Sequence, residues 1–293
     1  MLVALSLSWG STWVTMKISL GGLSPFDLRL TSTFLGGLML ILYAVMRQRS
    51  ISLPPRPMVW FHIAVASLFN IVGFGLLATF AQLSAATSRV AILAYTMPIW
   101  TVLLAFIFLR ERLTLIRSIA LALCVVGITV LVFPLLSAGA GTLMGVALAV
   151  LSGLSWAIGI IYVKRVDLPV TPLSFAIWQF VMSFMMVAVL IAAIEGVPHL
   201  WPLSWPVLLA VLFTGMIGSG LSYFLWFEIV TRLPAMTASL GILGSPFVGV
   251  IGSMIVLGDR PSAADIIGFV LILSAAACVL LQPPPKPEPV IAS

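Results

Sequence analysis

From Leu2 to Leu281 the chain is a succession of apolar stretches, each close to the length of one membrane-spanning helix. Crossing the hydrocarbon core of a bilayer takes about 20 mostly apolar residues. Read with that ruler, stretches can be marked off at 1–20, 26–46, 58–82, 85–109, 115–133, 142–164, 172–194, 205–231, 235–257 and 263–281. The separators are short clusters of Pro, Gly, Ser and charge. Composition agrees: 62% of residues are hydrophobic and 8% charged, whereas soluble domains carry roughly 45–50% apolar residues. No single soluble core of this chain length could hide the excess, so the solvent has to be lipid. The expected fold class is an all-α integral membrane protein with ten transmembrane helices. Residues 1–17 lack the positive start and small-residue cleavage site of a secretory signal and read as the first span. At the other end, "QPPPKPEPVIAS" (282–293) reads as a disordered, Pro-rich cytoplasmic tail.

Charge is so scarce that its repetition is informative. Residues 109–114 read "LRERLT" and residues 257–262 read "LGDRPS", 148 positions apart, and Pro98 and Pro246 have the same separation. The starts of the halves also align, "LSWGSTWVTMK" (7–17) with "LSWAIGIIYVK" (154–164), setting Ser8, Trp9 and Lys17 on Ser155, Trp156 and Lys164. Five spans per half is an odd number, so the second half enters the membrane upside down. The expected organisation is two inverted five-helix repeats, 1–134 and 142–281. Such repeats typify transporters, with the substrate held near the midplane between the halves.

Basic residues set the orientation. With the N-terminus inside, most of the 14 basic residues fall on the cytoplasmic side: Arg47, Arg49, Arg56, Arg110, Arg112, Arg117, Lys164, Arg165, Arg232 and Lys286. Lys17, Arg29, Arg89 and Arg260 are left for the far side. Both termini are then cytoplasmic. The charges are scattered between apolar runs rather than gathered into a stripe, which excludes nucleic acid as a partner. Membrane lipid and a small-molecule substrate are the expected partners, and a monomer is compatible with the sequence.

Residues at i, i+3, i+4 and i+7 share one face of a helix. In the first span that face holds Trp9, Thr12, Trp13 and Met16. In the eighth it holds Ser219, Ser222, Tyr223 and Trp226. Both mix aromatic area with hydroxyls, as a cavity for an amphipathic small molecule does. The competing reading is that Trp and Tyr anchor helices at the bilayer interface, which suits Trp60, Trp201 and Trp205 better. Asn70 and Phe74 lie four apart in the third span, and a mid-membrane amide must face protein or water. Trp156 is the repeat partner of Trp9. Tyr95 precedes Pro98 by three residues and Ser245 precedes Pro246; each proline frees a carbonyl one turn earlier and marks a bend, structural or gating. Glycines 215, 218, 220, 241, 244, 249 and 252 permit close helix packing.

An acid deep in a membrane usually marks an ion pathway. The candidate here is Glu228, near a helix end, with Arg232 at i+4 as an ion-pair partner. No other titratable group is expected mid-span, which points to a carrier without obligatory proton coupling. Lys17 and Lys164 can snorkel from helix ends. Cys124 and Cys278 read as small buried hydrophobes, and His62 and His199 as lone interfacial residues. No metal or cofactor site and no catalytic motif is present, so an enzyme is not expected.

The sequence resembles the drug/metabolite transporter superfamily, and within it the ten-helix EamA-type exporters. The likeness is carried by "WGSTWVTMK", by Arg29 after "SPFDL", by "LSAATSRVAILAYTMPIWTVLLAFIFLRERLT", and by "LSWAIGIIYVKR" and "AMTASLGILGSPFVGVIGSMIVLGDRPS". It departs from the family at Asp259, where the second turn usually has Glu. The resemblance implies a bacterial inner-membrane exporter of small metabolites by alternating access, with aromatic or other apolar amino acids as the favoured cargo. Other amphipathic metabolites, cationic drugs and lipid scrambling are the alternatives.

Overall fold

A computed structural model describes residues 1–111, 113–137, 140–166, 168–226 and 235–280. Glu228, Arg232 and the Pro-rich tail lie outside the described residues. Ten helical runs follow one another: α1 (Leu2–Ser19), α2 (Pro25–Met46), α3 (Pro57–Ser84), α4 (Thr87–Leu109), α5 (Leu115–Leu136), α6 (Ala140–Arg165), α7 (Pro172–Ile194), α8 (Trp205–Trp226), α9 (Ala235–Gly252, continued by Ser253–Leu257) and α10 (Ala263–Leu280). Seven of them, α2 to α8, are long and apolar enough to cross a membrane, and two shorter apolar helices, Gly244–Leu257 and Ala263–Val279, follow. Helix α1 is diluted by Trp, Ser, Thr and Lys17. Phe34, Val45, Val125, Val189, Ile255 and Val270 are all exposed. That much exposed aliphatic and aromatic surface is tolerable only against lipid.

Helix starts follow the local chemistry of Ser and Thr before Pro or acid. Ser24 Oγ accepts the Asp27 N–H ahead of α2, with Pro25 in the first turn. Thr171 does the same ahead of Pro172 and α7. Ser262 and Asp265 exchange hydrogen bonds across the first turn of α10, a reciprocal cap that satisfies otherwise orphaned N–H groups.

The repeated charged turn is also a repeated backbone. Arg110 (φ 56°) and Gly258 (φ 72°) are both left-handed and follow the ends of α4 and α9. Beyond them the Glu111 N–H reaches the Ala105 carbonyl and the Asp259 N–H reaches the Ser253 carbonyl, each at 3.2 Å. Each turn thereby satisfies a last-turn carbonyl. Thr114 then caps α5 and Ser262 caps α10.

Helix α1 packs on α8 and α9; α6 packs on α3 and α4. Helix α2 packs on α7 and α8, α3 also on α7, and α5 on α10. Small residues allow the closest approaches. A Cβ on Gly10 would fall 2.4 Å from Val248 Cβ and one on Gly218 would fall 2.3 Å from Thr12 Oγ1, so α1 meets both α9 and α8 almost backbone to backbone.

Proline acts differently at its two positions. Around Pro98 the winding breaks: one helical segment ends at Ala94, Tyr95 and Thr96 form a turn, and the next begins at Met97. Gly153 of α6 fits against this break, where a Cβ would lie 2.8 Å from the Ala94 carbonyl oxygen. Pro246, by contrast, sits inside a continuous helix.

Candidate functional site

The helices enclose a cavity of about 130 Å³. Its lining comes from α1 (Trp9, Thr12, Trp13, Met16), α2 (Arg29), α3 (Asn70, Ile71, Phe74), α4 (Ala94, Tyr95, Met97), α6 (Trp156), α7 (Phe180) and α8 (Gly218, Ser219, Tyr223). Ten of the residues singled out from sequence as substrate-binding are therefore brought to one space.

Three are not. Ser222 is fully buried and donates to Ser8 Oγ at 2.8 Å, locking α8 to α1. Ser245 is fully buried beside the Tyr95 side chain. Trp226 stacks on Trp9 with ring centroids 6.0 Å apart, behind the lining. The physical reason for Ser222 is the winding of α8. Residues Phe213–Leu221 form a π-helix, with i→i+5 bonding. Ser219 and Ser222 hydroxyls accordingly reach back five residues, to the Thr214 and Ile217 carbonyls. A face drawn with a period of 3.6 drifts through such a segment.

Aromatic rings form most of the wall. Phe74 meets Trp156 edge-on at 5.2 Å and Trp13 at 6.4 Å. Tyr223 meets Phe180 at 5.2 Å and Trp9 at 6.3 Å, again edge to face. Such geometry is the favoured one for rings. The interfacial reading of the other tryptophans fits their surroundings: Trp201 and Trp205 are each 75% exposed, and Trp60 packs on Trp178 at 4.9 Å.

Polar groups are few. Asn70 is 6% exposed with its Oδ1 unpartnered. Gly159 lies so near that an added Cβ would meet that oxygen at 1.7 Å. Thr12 Oγ1 donates to the Ser8 carbonyl at 2.8 Å.

Arg29 was read from sequence only as one of the far-side basic residues. The structure buries it near the start of α2 and makes it part of the cavity wall. Five residues into an apolar helix, a lone Arg had its own signal, since an ionisable residue there faces the bundle interior by default.

Other charged groups sit at the ends of helices. Arg89 binds Asp265 through two contacts of 2.5 and 2.8 Å, and the Ser88 N–H donates to Asp259 at 2.9 Å, tying the start of α4 to the second charged turn and to α10. The Lys17 ammonium donates to the Gln82 carbonyl, while Lys164 is exposed. His62 Nδ1 meets the Tyr162 hydroxyl at 2.7 Å, and the backbone N–H of His199 donates to the Asp27 carboxylate. Among the described residues no group of three His, Cys, Asp or Glu side chains could hold a metal ion.

Fold and cavity together define a multi-pass helical membrane protein built around a solute-sized space. Residues 1–133 and 143–281 each match the EamA-like transporter family, and the chain belongs to that family. It is similar to the uncharacterised transporter YoaV of Bacillus subtilis, at 22% identity over 92% of both chains. Protein PecM of Dickeya dadantii is 28% identical, covering 92% of this chain and 88% of that one. A probable amino-acid metabolite efflux pump of Salmonella typhimurium is 22% identical, covering 91% and 89%. A crystal structure aligns over 94% of both chains with a TM-score of 0.67 at 22% identity, which supports the fold.

Proposed function

We propose that this chain is an inner-membrane exporter of small amphipathic metabolites, chiefly amino acids with aromatic or other apolar side chains, working by alternating access. In this reading it crosses the membrane ten times as two inverted five-helix repeats, 1–134 and 142–281, with both termini in the cytoplasm.

The observation that carries the reading is the cavity's place and lining. It draws residues from both family-matched segments, and its wall combines aromatic rings with a handful of hydrogen-bonding groups. That is the mixture suited to a solute with an apolar body and a polar end. Helix pairing supports the repeat. Exchanging each of α1–α5 for the helix five further on turns the α1–α9 contact into α6–α4, α2–α8 into α7–α3, and α1–α8 into α6–α3, all of which occur. The preponderance of basic residues on one set of loops supports the orientation, and the similarity to a probable amino-acid metabolite efflux pump supports the cargo.

The test is competition in proteoliposomes of purified protein, screening the twenty amino acids, cationic drugs and sugars. Saturable flux of phenylalanine, tryptophan or leucine is the expected result. Competition by a sugar or nucleoside with none by phenylalanine would refute the cargo. Lipid movement without solute flux would refute the carrier.

A further inference from the structure

We infer that Arg29 is the anion anchor of the cavity, so that a carboxylate on the substrate is required for binding while a positively charged amine is dispensable. The inference rests on reading this cavity as the transport site.

Arg29 is 9% exposed. Its Nε is buried without a hydrogen-bond partner, and neither ion pair among the described residues involves it. Arginines buried in proteins are normally paired, because an isolated charge is costly to remove from water. The position of this one is well defined. A Cβ on Gly75 would lie 2.4 Å from Nε and 2.5 Å from Cζ, so the guanidinium rests directly on the α3 backbone, where only glycine leaves room. Placed there, it lines the cavity one turn from Asn70, whose amide is also short of a partner. A guanidinium with no carboxylate beside it presents a planar fork of donors matched to one.

The remaining lining decides the sign of the selectivity. No acidic side chain is among the lining residues. An ammonium group would find only neutral acceptors, such as the Asn70 carbonyl and the Ser219 and Tyr223 hydroxyls, with a fixed positive charge nearby. A zwitterion is tolerated because its carboxylate takes the guanidinium. A monoanion of the same shape suffices. A cation without a carboxylate is excluded.

The experiment measures binding of three ligands with one ring system, L-phenylalanine, 3-phenylpropionate and phenethylamine, to the full chain in lipid nanodiscs. Both carboxylates should bind, and phenethylamine should bind about tenfold or more weakly, the value of losing a charge-assisted hydrogen bond. Arg29→Met should weaken both carboxylates by a similar factor and abolish their advantage. Because Arg29 forms no ion pair whose carboxylate would be stranded, its ligand-free melting temperature should hold or rise, which a structural arginine would not allow. Gly75→Ala keeps the charge but displaces the guanidinium, and should also weaken carboxylates, covering the case in which Arg29→Met fails to fold. Equal binding of phenethylamine and 3-phenylpropionate overturns the inference, as does an undiminished carboxylate preference in both variants. Phenylalanine bound equally well by native protein and Arg29→Met overturns the anchor and leaves the amino-acid reading standing. Arg29-dependent binding of 3-phenylpropionate with no binding of phenylalanine sustains the anchor and refutes that reading.

Discussion

Gly159→Ala tests whether α6 and α3 meet at the cavity as described. The three atoms nearest an added Cβ all belong to Asn70, at 1.7 Å (Oδ1), 2.5 Å (Cγ) and 3.1 Å (Nδ2). Carbon–oxygen contacts of this kind sit at roughly 3.3 Å or more, so the amide oxygen must retreat by about 1.6 Å. Asn70 is 6% exposed within a π-wound turn, and the space left to its amide is the cavity that it lines. Overpacking costs about 1–3 kcal/mol, and the open side places this case toward the lower end. Asn70→Ala alone should cost little, since its oxygen forfeits no hydrogen bond. The double variant should recover most of the Gly159→Ala loss, giving a coupling of about 1–3 kcal/mol between the two sites. The assay is thermal unfolding of the four proteins in one detergent. A loss of that size should lower the midpoint by roughly several degrees. If the two substitutions simply add, Gly159 does not face Asn70 and the wall between α3 and α6 is misdrawn.

Three further outcomes are expected. Trp156→Ala should weaken phenylalanine binding several-fold, because a ring contact adds about 0.5–1.5 kcal/mol beyond its buried area, whereas Trp60→Ala, outside the cavity, should leave affinity unchanged in the same titration. Arg89→Met should lower stability by about 1–3 kcal/mol, since it leaves a carboxylate that is 4% exposed without its counter-charge and with only Ser262 as a donor; adding Asp265→Asn should restore part of the loss in a melting series, and no effect of the single change would show the pair to be idle. With Cys124 and Cys278 replaced, cysteines placed at Thr114 and Ser262 should be labelled from opposite sides of a sealed membrane, and labelling of both from one side would sink the inverted arrangement.

How legible the fold was depends on what each signal encodes. The apolar runs predicted the helices because backbone satisfaction in lipid leaves a chain few alternatives. The repeated turn at 109–114 and 257–262 was legible as a repeat, and its two copies share the same left-handed residue and the same six-residue closure. The aromatic stripe of α1 was legible as one face because α1 is regularly wound, so Trp9, Thr12, Trp13 and Met16 all line the same cavity. Ser222 lies off the cavity lining because a helical face drawn at constant period assumes constant winding, and the π segment of α8 breaks that assumption. Phe180 and Met97 carried no signal at all: each is an ordinary apolar residue in an apolar helix. The place of Arg29 in the lining was missed for a different reason. Its nearness to the helix start made it look like a boundary charge, and only packing shows that the side chain turns inward.

The irregular winding that defeated the stripe also helps to make the cavity. Regular helices packed face to face fill the space between them, as α5 and α10 do around Ala120, Cys124 and Ala275. Around the cavity the helices depart from that pattern in two ways. Helix α3 is π-wound over Leu68–Gly73 and contributes Asn70 and Ile71 from that segment, with Phe74 just beyond it. Helix α8 is π-wound over Phe213–Leu221 and contributes Gly218 and Ser219, with Tyr223 just beyond it. Helix α4 is broken at Tyr95 and Thr96, and Ala94, Tyr95 and Met97 flank the gap. A wider turn moves side chains off the packing seam and leaves amides and hydroxyls pointing where a regular helix would place a neighbour's knob, which is why such turns gather at functional sites. In the proposed repeat α3 and α8 are partners, so the same local distortion is applied once from each half. The aromatic rings form two clusters in the lining, Phe74 with Trp13 and Trp156, and Tyr223 with Trp9 and Phe180. Phe74–Trp156 and Trp9–Tyr223 each join a ring of the first half to a ring of the second. A movement of one half against the other, as rocking requires, therefore has to open or re-form both contacts, and the cavity wall changes with it.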